Sequence, residues 1–225
     1  MPIEQDDVPR EVIEANLQHV RDEINQACVN SNRDSRDITL VAVTKTQTTT
    51  TIRHCIDLGL NIFGENRYQE LDAKKIAFES TKNISWHFIG QIQRNKLARI
   101  AAKADVIHSI DNQWQIDVLS HCIAKPKLFI QLSSGAAGHR GGVTLHDAPD
   151  LLNYARNHGR EITGVMMMPP ADIDPVPYFR SCRDFAHDYS LDQISMGMSH
   201  DYVPAIEQGS TVIRVGTALF GERKR

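Results

Sequence analysis

Apolar residues recur along this chain with two alternating periods. Near the start, Ile13, Leu17, Val20, Ile24 and Cys28 return every three or four positions, which lines them up on one face of an amphipathic helix. Pro9 stands where a first helical turn tolerates proline, and Glu11 and Glu14 suit the positive end of the helix dipole. The polar run from Asn30 to Asp34 ends that pattern as a loop. Short β-branched and apolar runs then predict strands at Ile38–Thr44, Asn61–Gly64, Ile84–Ile89, Asp105–Ile110, Lys127–Leu132, Ile162–Met168, Gln193–Met198 and Thr211–Val215. Between them, helical patterns lie around Thr50–Leu58, Arg67–Phe78, Arg94–Ala102, Gln113–Cys122, Ala148–Asn157, Val176–Tyr189 and Tyr202–Gln208.

Near-continuous apolar strands separated by helices imply a parallel sheet covered on both faces, joined by right-handed crossovers. Eight strands with seven helices between them leave one gap in the outer ring, and the N-terminal helix can fill it. The predicted fold is α/β: a single closed (β/α)₈ barrel of the TIM type over residues 1–225, with an extra N-terminal helix. A doubly wound open sheet is the alternative. It would carry a glycine-rich nucleotide loop after the first strand, and the sequence has none there.

Composition narrows the partners. The net charge is −3 and the longest basic run is Arg223-Lys224-Arg225, which argues against a nucleic-acid binder. No stretch approaches the ~18 apolar residues of a membrane span. Met1 to Arg10 lacks the apolar segment of a secretory signal. Cys28, Cys55, Cys122 and Cys182 are scattered, as reduced structural thiols are. A cytoplasmic location is expected. The ten histidines form no H-E-x-x-H pattern, so no metal is expected.

Barrel enzymes place reactive groups at the C-terminal ends of strands. The one lysine there is Lys45, closing Leu40-Val41-Ala42-Val43-Thr44. Alternation puts it on the side of Val41 and Val43. If that side is the interior, desolvation makes its amine a nucleophile toward an aldehyde. Otherwise the side chain snorkels to solvent. In the eighth strand Arg214 shares a face with Val212 and Gly216, and either pairs with a barrel carboxylate or faces a ligand. Ser195-Met196-Gly197-Met198-Ser199 and Gly216-Thr217 end the last two strands, the recurrent phosphate site of this fold. An amine, a phosphate cradle and an arginine fit one ligand, pyridoxal 5′-phosphate.

Beyond these single residues, several stretches together resemble the pyridoxal phosphate homeostasis protein family, which shares the barrel of the alanine racemase N-terminal domain. They are Leu40–Lys45, Phe63-Gly64-Glu65-Asn66 with Gln69-Glu70, Trp86-His87-Phe88-Ile89-Gly90 with Gln93, Asn95 and Lys96, Ser195–Ser199, and Arg214-Val215-Gly216-Thr217 running to Phe220-Gly221. The resemblance implies that Lys45 carries the cofactor as a Schiff base and that Asn66 lies beside the ring. It implies too that Arg214 faces the pyridine nitrogen and that Ser199, Gly216 and Thr217 hold phosphate, with Met198 also among the cofactor-binding residues. Two stretches depart from the pattern: Arg140-Gly141-Gly142, where the family shows Lys-x-Gly, and Met166-Met167-Met168-Pro169-Pro170. The glycine-rich run 133–142 reads as a surface loop. His87 either lines the pocket or is a hydrogen-bonded core residue. Asn95 and Lys96 read as helix surface, and Trp114 and Met166–Met168 as packing.

A carrier and an enzyme, such as an amino-acid racemase, both fit a bound cofactor; a cofactor-free Schiff-base aldolase leaves Arg214 unexplained. An arginine at the pyridine nitrogen keeps it unprotonated and weakens the ring as an electron sink. By the resemblance, racemases add a β-rich domain bearing a tyrosine base, and none is expected here. The sequence is therefore read as a monomeric carrier, with no catalytic residues of its own, that serves cofactor homeostasis and hands pyridoxal phosphate to apo-enzymes.

Overall fold

The computed structural model describes residues 6–135 and 141–222. Helix α1 (Arg10–Asn30) leads into β1 (Thr39–Val43), α2 (Thr49–Asp57), β2 (Ile62–Glu65), α3 (Tyr68–Ala77) and β3 (Ser85–Phe88). The chain continues through α4 (Leu97–Ala101), β4 (Val106–Ile110), α5 (Gln113–Ser120), β5 (Lys127–Leu132), α6 (Ala148–Asn157) and β6 (Ile162–Met167). It ends with α7 (Val176–Asp188), β7 (Gln193–Ser195), α8 (Tyr202–Glu207), β8 (Val212–Val215) and α9 (Thr217–Phe220). The strands close in sequence order into a barrel, with β8 pairing parallel to β1. Helix α1 packs against α8, α9 and α2 and so fills the gap in the outer ring. Its apolar stripe, Ile13, Leu17, Val20, Ile24 and Cys28, is buried.

Strand alternation sorts side chains into two shells. Outward positions such as Ala42, Phe63, Trp86, Phe88 and Ile213 pack beneath the helices. Trp86 lies 5.4 Å from the Phe63 ring and 6.3 Å from the Phe78 ring. Inward positions Val41, Val106, Phe129 and Val212, with Ile62 against them, fill the lower barrel. Above that apolar floor stand buried polar side chains, among them His87, His108, Ser195 and Arg214.

Three elements differ from the periodicity. Strand β7 stops at Ser195 rather than Met198, because the chain turns away at Gly197, whose φ is +92°. The helix predicted from Arg94 opens as a 3₁₀ turn over Arg94–Lys96 before α4. Helix α9 follows β8 where no helix is predicted, since four residues are too few to display a helical period.

Candidate functional site at the barrel mouth

Lys45, Asn66, Met198, Ser199, Arg214, Gly216 and Thr217 all line one cavity of about 240 Å³ at the C-terminal end of the barrel. Lys45 follows β1 on the side of the inward Val43, which lines the same wall. Its side chain is therefore at the cavity rather than on the outer surface. Asn66 follows β2. It is held by close approach of Gly90: a Cβ there would sit 2.0 Å from the Asn66 carbonyl oxygen. The Asn66 side-chain oxygen is buried without a hydrogen-bond partner.

Arg214 enters from below. It is 4% exposed, and burial pushes its guanidinium down to about 10. Nη1 donates to Ser195 Oγ at 2.6 Å and Nη2 to the Met167 carbonyl at 3.2 Å. Its partners are neutral, and among the described residues no carboxylate forms an ion pair with it. Of the two readings of Arg214, the carboxylate pair is excluded. The hydrogen bonds run on: Ser195 Oγ lies 3.0 Å from His108 Nδ1, and His108 Nε2 lies 2.9 Å from His87 Nδ1. Burial lowers His87 to about 4 and holds His108 well below the usual histidine range. Both rings are therefore neutral, and His87 is a hydrogen-bonded core residue outside the cavity wall.

The far wall comes from the last two strand ends. Ser199 Oγ accepts the backbone N–H groups of Gly216, at 3.1 Å, and Ala218, at 3.2 Å. It thereby ties the turn after β7 to the first turn of α9. The Met198 N–H donates to Asp201 Oδ1 at 2.6 Å. Sequence reasoning missed His200 and Ile89 as lining residues and assigned Met168 to packing alone; all three stand in the wall. No motif marks His200, and only its place beside Ser199 could have signalled it. Met166 and Met167 are buried, as packing residues are. Trp114 packs at the core edge with the Arg94 guanidinium 5.3 Å from its ring. Lys96, expected on a helix surface, instead lines a neighbouring cleft of about 620 Å³ that shares Asn66 with the cavity, while Asn95 is exposed. Arg140 lies outside the described residues. Among the described residues no cluster of His, Cys, Asp and Glu could hold a metal, and no helix is long and apolar enough to cross a membrane.

A lysine amine, a buried guanidinium whose hydrogen-bond partners among the described residues are neutral, two hydroxyls and an orphaned amide oxygen around one cavity suit a small, polar, phosphorylated carbonyl compound. Residues 12–224 match the family model described as alanine racemase, N-terminal domain. The chain belongs to that family and, within it, groups with the pyridoxal phosphate homeostasis proteins. It is 34% identical to the one from Aquifex aeolicus, over 92% of this chain and 97% of that protein. Against the one from Escherichia coli K12 the figures are 32%, 92% and 95%. Among solved structures it is similar to PipY of Synechococcus elongatus with pyridoxal phosphate bound. That match has a TM-score of 0.76 and 28% identity, and covers 93% of this chain and all of that one.

Proposed function

We propose that residues 1–225 form one domain that binds pyridoxal 5′-phosphate at the barrel mouth as a Schiff base on Lys45, and that it serves cofactor homeostasis as a carrier without a substrate reaction of its own. The observation that carries this reading is the meeting of Lys45, Arg214 and the Ser199–Gly216–Thr217 wall in a single cavity. The residues suit the group. The Asn66 side-chain amide, whose oxygen has no partner, would be satisfied by a polar group of the ring, and the Ser199 and Thr217 hydroxyls suit phosphate oxygens. The bound cofactor would supply an aldehyde for reversible imine chemistry. Lys45 supplies the amine. Arg214, fixed from beneath by Ser195 and the Met167 carbonyl, presents a permanent positive charge that keeps a ring nitrogen unprotonated. The names of the relatives support a homeostatic role. The same reading places the protein in the cytoplasm as a monomer that passes its cofactor to apo-enzymes.

Borohydride reduction followed by peptide mapping tests it. The protein loaded with pyridoxal phosphate should carry the reduced cofactor on Lys45. A label on another lysine, or on none, removes Lys45 from the role.

A further inference from the structure

Behind the Lys45 turn, on the outer face of the sheet, lies a buried ion network that the cavity itself does not use. Thr44 and Glu65 point outward from the ends of β1 and β2, toward α3. Lys74 on α3 is nine-tenths buried, and its Nζ meets the Thr44 carbonyl at 2.6 Å, Glu65 Oε1 at 2.7 Å and Glu70 Oε2 at 3.2 Å. Glu65 Oε1 also accepts the Thr44 hydroxyl at 2.6 Å. Glu70 Oε2 accepts the Thr46 backbone N–H at 2.5 Å. The network thus holds the chain immediately before Lys45 and immediately after it.

Two features argue that it serves more than stability. Lys45 sits in a tight turn closed by the Gln47 N–H on the Thr44 carbonyl. Within that turn Thr46 has φ +67°, a left-handed conformation that a β-branched residue rarely adopts unless its surroundings impose it. Lys74 and Glu70 fix both peptide groups that impose it. The network is also costly by itself: Glu65 is fully buried, and its Oε2 has no partner. An apolar cluster of similar volume would stabilise the fold at least as well.

We infer that Lys74 and Glu70, with Glu65, are positioning residues that set the direction of the Lys45 amine from outside the barrel. The inference rests on the reading of Lys45 as the cofactor lysine. Its direct test nevertheless needs no cofactor. In apo-protein, reductive methylation with formaldehyde and cyanoborohydride over a pH series, mapped by mass spectrometry, reports the nucleophilicity of each lysine. Surface lysines serve as internal controls. Lys74→Met and Glu70→Ala should move the pH midpoint of Lys45 labelling and leave the controls unchanged. Both should weaken pyridoxal phosphate binding by ~10-fold or more, the loss expected when hydrogen bonds to charged groups are removed. Glu70→Gln keeps a carbonyl acceptor for the Thr46 N–H and should restore most of the native profile. If Lys74→Met does not fold, Glu70→Ala decides, because Glu70 lies at the partly exposed rim of the network. Lys45 profiles that superimpose on the native one in folded variants overturn the inference. Absence of cofactor on Lys45 in the native protein would instead sink the carrier reading, and the labelling profiles would still decide whether the network orients the amine.

Discussion

Ser199 shows how one hydroxyl can bear two tasks. As an acceptor it ties Gly216 and Ala218 to the turn after β7; as a donor it still has a proton for a phosphate oxygen. The Thr217 hydroxyl makes no hydrogen bond among the described residues and stands in the cavity wall, so its contribution is expected to be to ligand alone. Hydrogen bonds to a charged phosphate contribute about 1.5–3 kcal/mol each. Replacing both residues by Ala should therefore weaken pyridoxal phosphate binding by several orders of magnitude and leave unphosphorylated pyridoxal almost unaffected, with Ser199→Ala the larger single effect. Equal losses for the two ligands in equilibrium titrations would place the phosphate elsewhere. Lys45 and Arg214 were legible in the sequence because a charge breaks an otherwise apolar alternation at a strand end. His108 and Lys74 were not. Each owes its place to partners far away in sequence, Ser195 and Thr44 among them, and no local period records such a pairing.

At the scale of elements, the eight strands were legible because each is a short apolar run, while the turns that shape the mouth were not. Strand β7 is three residues long and is paired with β8 at Ser195 and Val212. The seam is completed by the following turn, where the Arg214 N–H donates to the Gly197 carbonyl at 3.0 Å. Gly197 can do this for two reasons: its φ is +92°, and a Cβ would lie 2.7 Å from Ala205 Cβ and 2.9 Å from Tyr202 Cα. Gly197→Ala must push α8 away or distort the turn that carries Met198 and Ser199. A left-handed strain of ~1–3 kcal/mol adds to that clash. The variant should melt several degrees lower and bind pyridoxal phosphate more weakly even at temperatures where it is folded. Native affinity in the folded variant would show that the turn does not set the phosphate wall.

The whole molecule carries its polar layer at a cost that pH reveals. Folded His87 and His108 stay neutral, whereas both would take up a proton below about 6.5 on unfolding. Between that pH and about 4 the unfolded chain binds more protons, so stability falls as pH falls. A displacement from 6.5 to about 4 is worth ~3 kcal/mol for His87. Glu65 works in the opposite direction: burial raises it to about 7, so its contribution is kept in acid and lost as pH rises toward 7. Two imidazoles outweigh one carboxyl. The melting temperature should therefore drop from pH 6.5 to 4.5, and His87→Gln should flatten the drop; a native melting temperature that climbs over that range contradicts the assignment. For function at this scale, a carrier should not accelerate exchange of the α-proton of amino acids. A positioned acid–base pair adds ~10²–10⁴-fold over free cofactor. Deuterium exchange on L- and D-amino acids should match that of free cofactor, and a large enhancement lost in Lys45→Ala would make the protein an enzyme. The apolar floor of Val41, Val106, Phe129 and Val212 has one more consequence. Among the described residues it closes the lower end of the barrel, so loading and discharge both run through the mouth. If the protein is a carrier, a recipient would either wait for the cofactor to leave or seat itself over the mouth, and while seated it would keep a replacement out.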